Sequence, residues 1–162
     1  MKGPDSQTLL ASALSPRTIS REEVAKIERM VQSYEGIWNN HRLSELGTLF
    51  TEDAEWVNVV GMWWRGRADV VKAHEVFHAT MFREVNIRCS GMEIRGIAPD
   101  VAIATLTVEV DDYVTPDGRE MNGVVDHLTF VLVKIGGEWL IASGHNTTVD
   151  PLAQPHNPID HP

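Results

Sequence analysis

Three features of this chain could do acid–base chemistry: an aspartate in an apolar run, a pair of histidines on one helical face, and a histidine near the C-terminus. Asp126 sits in Val124-Val125-Asp126-His127-Leu128-Thr129-Phe130 and shares, by period two, the face of Val124, Leu128 and Phe130. A carboxyl among apolar neighbours resists ionisation unless something pairs it, so Asp126 suits an acid or a hydrogen-bond donor. A structural hydrogen bond is the rival account of the same pattern. His127 points to the opposite face, toward solvent or an interface. His145, in Ser143-Gly144-His145-Asn146-Thr147, is of the residue type whose charge can change near neutrality, and it shares a face with Ser143 and Thr147. It is a candidate acid or base, and whether its face is a pocket or a convex surface is open at this level.

His74-Glu75-Val76-Phe77-His78 matches H-E-x-x-H, which sets two histidines one helical turn apart as zinc proteases do. A metal needs a third protein ligand. The offsets at which extended forms carry Gly and His hold Met81 and Glu84, and strands rather than a helix follow. No metal is expected at His74 and His78. His74, beside Val70 and Phe77, instead reads as part of an apolar helix face that could line a pocket.

The elements that must position these groups are legible in outline. Ser20-Arg21-Glu22-Glu23 has the form of a capping box, and Val24, Ile27, Val31, Tyr34 and Trp38 follow at steps of three and four. That spacing predicts a helix with Tyr34 on its inward face. Leu43 to Phe50 reads as a second helical stretch, Ala54 to Val60 as a strand, Arg65-Gly66-Arg67 as a turn and Ala68 to Phe82 as a third helix. From Val85 onward each segment reads as strand, with turns at Pro116-Asp117-Gly118 and Gly136-Gly137. Three helices followed by a curved antiparallel sheet define an α+β domain over residues 20–149. Residues 1–19 read as a flexible N-terminal arm whose Leu9, Leu10 and Leu14 could dock on a partner. Residues 150–162 read as an irregular, Pro-punctuated tail with solvated histidines at 156 and 161.

Composition narrows the function. With 162 residues and 43% hydrophobic side chains, one core is expected. A formal charge of −9 leaves no basic stripe for nucleic acid. No apolar run has membrane-spanning length, no apolar block resembles a signal peptide, and Cys89 is the single cysteine, so a cytoplasmic location without disulfides is expected.

Val31 to Gly61, and again Val125 to Phe130, resemble the nuclear-transport-factor-2-like (NTF2-like) superfamily, which includes ketosteroid isomerases and SnoaL-type polyketide cyclases. The resemblance implies helices packed across the concave side of a bent sheet, enclosing a conical cavity for a small molecule. It puts Tyr34 at the position of the isomerases' tyrosine and Asp126 at that of their protonated aspartic acid. Asn58 stands where they carry the base, and an amide cannot take a proton at neutral pH. His145 or His74 then becomes the candidate base. Trp38, Trp56, Trp63 and Trp64 would cluster at the mouth, with Trp56 on the face of Asn58. Stacking on a flat ligand and ordinary core packing both account for them. Trp63-Trp64-Arg65-Gly66 and Ser143 to Thr147 are similar to the narrower SgcJ/EcaC-like group. No dinucleotide or flavin signature is present, and no cofactor is expected.

The combined expectation is a small-molecule pocket protein, an acid/base isomerase or cyclase for an apolar or polyketide-like carbonyl compound. Its site would be Asp126, Tyr34 and His145, with Asn58, Trp38, Trp56, Trp64 and His74 as ligand contacts. The resemblance also implies a homodimer through the outer sheet face. A non-catalytic ligand-binding or oligomerisation module is the alternative.

Overall fold

A computed structural model describes residues 19–159 of the chain. The arm with Leu9, Leu10 and Leu14, and His161 of the tail, lie outside those residues. Helix α1 spans Arg21–Asn39 and begins where the Ser20 hydroxyl accepts the Glu23 N–H at 3.2 Å. The reciprocal half of the capping box is not made. Glu23 accepts instead from Lys26 and from the Trp139 indole N–H at 2.7 Å, tying the helix start to the last strand. Ile27, Met30, Val31, Tyr34 and Ile37 are buried, and Val24 and Trp38 flank them half-buried.

Leu43–Leu49 is a 3-10 segment rather than an α-helix, and Phe50 already opens strand β1, Phe50–Val57. Its apolar side chains, Leu43, Leu46 and Phe50, are buried as their spacing requires. Strand β2, Trp63–Arg65, returns beside β1, and helix α2, Arg67–Ala79, follows Gly66 at φ +87°. Then come β3 (Ile87–Ala98), β4 (Val101–Val110), the short hairpin β5 (Tyr113–Val114) and β6 (Glu120–Met121), β7 (Val124–Ile135) and β8 (Glu138–Thr148). A 3-10 turn at Gln154–His156 lies in the tail, where His156 is exposed.

The main sheet has six strands in the order β2-β1-β8-β7-β4-β3. β3, β4, β7 and β8 form the expected antiparallel meander, but β1 joins β8 in parallel, so the sheet is mixed. A run of strand residues carries no record of its partner; β1 lies beside β8 because the meander leaves that edge unpaired. In-register rows cross the concave face. Val108, Asp126 and Thr148 make one row, and Leu106, Leu128 and Asn146 the next. α1 and α2 pack over this face, and Asn39 pins the end of α1 to β3 by exchanging two hydrogen bonds with the Ile87 backbone. Among the described residues no helix is long and apolar enough to cross a membrane.

Candidate functional site

The concave face, α1 and α2 enclose a cavity of about 210 Å³. Tyr34, Trp38, Trp56, Asn58, Trp64, His74 and Asp126 all line it, so seven of the eight side chains expected at the site come together. His145 does not. It is exposed and pairs in register with Thr129 and Val57, while its neighbours Gly144 and Asn146 face inward. Alternation along β8 puts Ser143, His145 and Thr147 on the outer surface, away from the cavity. His127 is exposed on the same outer face, 3.4 Å from the Thr107 hydroxyl.

Asp126 is buried but not isolated. The Thr148 hydroxyl donates to its Oδ1 at 2.8 Å, and the Asn146 amide approaches Oδ2 at 3.4 Å. The Trp56 indole N–H donates to the other end of that amide, at 3.1 Å, which orients Asn146 with its NH2 toward Asp126. Burial pushes the Asp126 carboxyl above the ordinary range, opposed by these hydrogen bonds and by the charge of His127. Sequence reasoning missed Asn146 and Thr148, because they reach Asp126 only through the register of β7 with β8. Gly144 fixes which face of β8 turns inward: a Cβ there would lie 2.3 Å from Trp56 Cε3, so glycine marks where β8 passes under the indole.

The Tyr34 ring stacks on Trp56 with centroids 6.2 Å apart and meets Phe130 edge-on. Burial, then the charge of Asp126, raises its phenol, which therefore stays protonated and able to donate. Among the described residues its hydroxyl has no hydrogen-bond partner, so that donor is available to a guest in the cavity.

Asn58 lines the mouth but has a backbone task. Its Oδ1 accepts the N–H groups of Val60 and Met62 at 3.1 and 2.8 Å and closes the β1–β2 turn. The strand expected to reach Val60 therefore ends at Val57. Val59, Val60, Met62 and Trp63 make this turn an exposed apolar rim.

His74 is buried on α2, and its Nδ1 lies 2.8 Å from the Val70 carbonyl oxygen. A carbonyl only accepts, so Nδ1 carries the proton and Nε2 is a bare acceptor. The rings of Trp38, Trp56 and Trp64 stand nearly perpendicular to the imidazole, at 6.1, 5.1 and 5.6 Å. Burial lowers its pKa to about 4, against the hydrogen bond to Val70, so the ring is neutral at neutral pH. His78, one turn on, is also buried and lines the cavity, and its Nδ1 sits 3.0 Å from Nδ1 of His41. Glu75 of the same motif is exposed, and among the described residues no three His, Cys, Asp or Glu side chains gather to hold a metal ion.

A helix-capped curved sheet around a cavity with a buried acid, a phenol and a neutral imidazole defines an NTF2/cystatin-like pocket domain. Residues 27–150 match the SnoaL-like domain family, and the chain belongs to it. Among solved structures, a protein with a cystatin-like fold from Caulobacter vibrioides is 40% identical; the match covers 87% of this chain and 99% of that one, with a TM-score of 0.84. A candidate scytalone dehydratase from Novosphingobium aromaticivorans is 23% identical over 79% of this chain and 85% of its own, with a TM-score of 0.66. A candidate aromatic ring hydroxylase from the same species is 18% identical over 82% and 92%, with a TM-score of 0.69. The last two likenesses are likenesses of fold. No curated protein matches the chain.

Proposed function

We propose that the cavity binds a small, largely apolar, polyketide-like compound bearing a carbonyl and moves a proton next to that carbonyl. His74 carries this reading: a buried neutral imidazole, its Nδ1–H held by Val70, in a wall that also contains Asp126 and Tyr34. Nε2 removes a proton from the carbon beside the carbonyl, and the oxygen that gains charge accepts hydrogen bonds from the Tyr34 phenol and from the acid form of Asp126, which burial favours. His74 thus takes the role that Asn58 cannot. Return of the proton to a different carbon isomerises the guest. Attack of the enolate on a second carbonyl closes a ring, and loss of a β-hydroxyl eliminates water. The fold likeness to a candidate scytalone dehydratase is the reason for including the third outcome. The three tryptophans around His74 favour a flat guest.

The test is exchange rather than a guessed product. Cyclic ketones and β-hydroxy ketones that bind, by native mass spectrometry, are incubated with the protein in D2O and followed by proton NMR. Loss of α-proton signal with wild type, and not with His74→Phe, is expected. Binding without exchange for every compound would overturn the catalytic reading in favour of ligand carriage, to which the turn-closing role of Asn58 already lends weight.

Half-buried Ile103, Val131 and Val133 on the outer sheet face suit contact with a second copy, as a dimer in light scattering would register. Membership of the SgcJ/EcaC-like group rests on Trp63 to Gly66 and Ser143 to Thr147.

A further inference from the structure

His78 carries a buried Nε2 with no hydrogen-bond partner among the described residues, and its ring lines the cavity. Its other nitrogen meets His41 at 3.0 Å, so one of the two Nδ1 atoms bears a proton and the other accepts it. A buried N–H without an acceptor is rarer and costlier than a buried bare acceptor. That places the His78 proton on Nδ1, pointing at His41, and leaves Nε2 as a lone pair. α2 then presents two neutral imidazoles one turn apart, His74 and His78, each with Nδ1–H engaged and Nε2 bare. They differ in what holds Nδ1. For His74 it is a backbone carbonyl, which cannot carry a proton onward. For His78 it is a second imidazole, and that imidazole is exposed. His41 is also the one non-glycine residue among those described with positive φ, at +53°. A residue held in that region costs free energy and persists where its surroundings require it. Here the turn after α1 carries the His41 ring to the ring of His78. The other rings around His78 are Trp38 and Phe82, and the titratable groups acting on it are His41 and His74.

We propose that His78 and His41 form a proton conduit between the cavity and bulk solvent, with His78 as a second acid/base at the cavity and His41 as the positioning residue that acts through it. A proton arriving from a guest bonds to the His78 Nε2 lone pair. The Nδ1–H bond of His78 breaks, and that proton bonds to Nδ1 of His41. His41 then loses its Nε2 proton to water. One proton enters and one leaves, so the net charge of the pair is unchanged and the two rings end with exchanged tautomers. The conversions proposed above return the proton they remove, so the conduit sets how fast that proton exchanges with solvent while it is held in the cavity. The conduit rests on that reading only for its purpose, since its test uses no ligand.

The full chain, labelled with nitrogen-15 at histidine, is followed by long-range nitrogen–proton NMR and by water-saturation transfer. In wild type, His74 and His78 are both expected as neutral Nδ1–H tautomers, with the His78 proton exchanging much faster than that of His74. His41→Asn tolerates positive φ and keeps a carbonyl facing His78, so it preserves the hydrogen bond but cannot relay a proton. In this variant the His78 proton should slow by roughly a hundredfold, the low end of what a positioned acid or base contributes to proton transfer. The His74 proton should not change. An unchanged His78 exchange rate in His41→Asn overturns the conduit and leaves a structural hydrogen bond. So does a wild-type His78 that carries its proton on Nε2. Failure of every ketone in the D2O assay, with this exchange pattern intact, would remove the proposed chemistry and leave the conduit standing.

Discussion

Gly144→Ala tests whether the Trp56–Asn146–Asp126 chain holds the inner face of β8 in place. The added Cβ would lie 2.3 Å from Trp56 Cε3, 2.4 Å from Cζ3 and 3.0 Å from Cδ2. Those are rigid ring atoms, and the indole has little room to retreat: Trp56 is 2% exposed, between Tyr34, Phe50, Phe130 and His74. Overpacking of this kind costs about 1–3 kcal/mol. Any shift of the indole also pulls Nε1 from Asn146, which adds about 1 kcal/mol for a lost hydrogen bond. A total of about 2–4 kcal/mol corresponds to a drop in Tm of roughly 5–15 °C for a domain of this size. Urea denaturation followed by circular dichroism reads the free energy, and calorimetry reads Tm. The double variant Gly144→Ala/Trp56→Leu, in which the ring atoms are gone, should fall short of the sum of the single losses by at least about 1 kcal/mol. A single-variant loss below about 0.5 kcal/mol, or strict additivity in the cycle, would refute the argument.

His74 gives a pH prediction with a definite sign. Its folded pKa is depressed from 6.5 to about 4, so its contribution is complete above 6.5 and is lost as pH falls toward 4, by about 3 kcal/mol. His74→Phe should therefore show a flatter decline in denaturant midpoint between pH 7 and pH 4 than wild type. Asp126 has the opposite linkage: its folded pKa is raised, so its contribution is complete at low pH and is lost as pH climbs through the raised value. Asp126→Asn should match wild type near pH 3 and equal or exceed it at pH 7 in thermal melts, while α-proton exchange falls by roughly a hundredfold. EDTA should leave Tm unchanged, and a fall reversed by zinc would restore the H-E-x-x-H motif as a metal site.

Much of the fold was legible because local chemistry dictates it. Ser20 caps α1, the three-and-four spacing buries Ile27, Val31 and Tyr34, and paired glycines close the β7–β8 turn. Alternation also put Asp126 among Val124, Leu128 and Phe130 with no knowledge of the neighbouring strands. The side chains that act on Asp126 were not legible in the same way. Thr148 and Asn146 reach it only because β7 and β8 pair in one register, and a shift of one residue would have brought His145 inward instead. The sequence alone left both faces of β8 open, and the inward place of Gly144 under Trp56 decided between them. His41 and His78 meet for a similar reason. They stand 37 positions apart, and only the packing of the turn after α1 against α2 brings the two Nδ1 atoms to 3.0 Å. Periodicity acts within a segment, so the sequence by itself determined which face of each element turns inward wherever apolar residues mark it. Partners across segments depend on register and packing distance, and those only the tertiary structure decided.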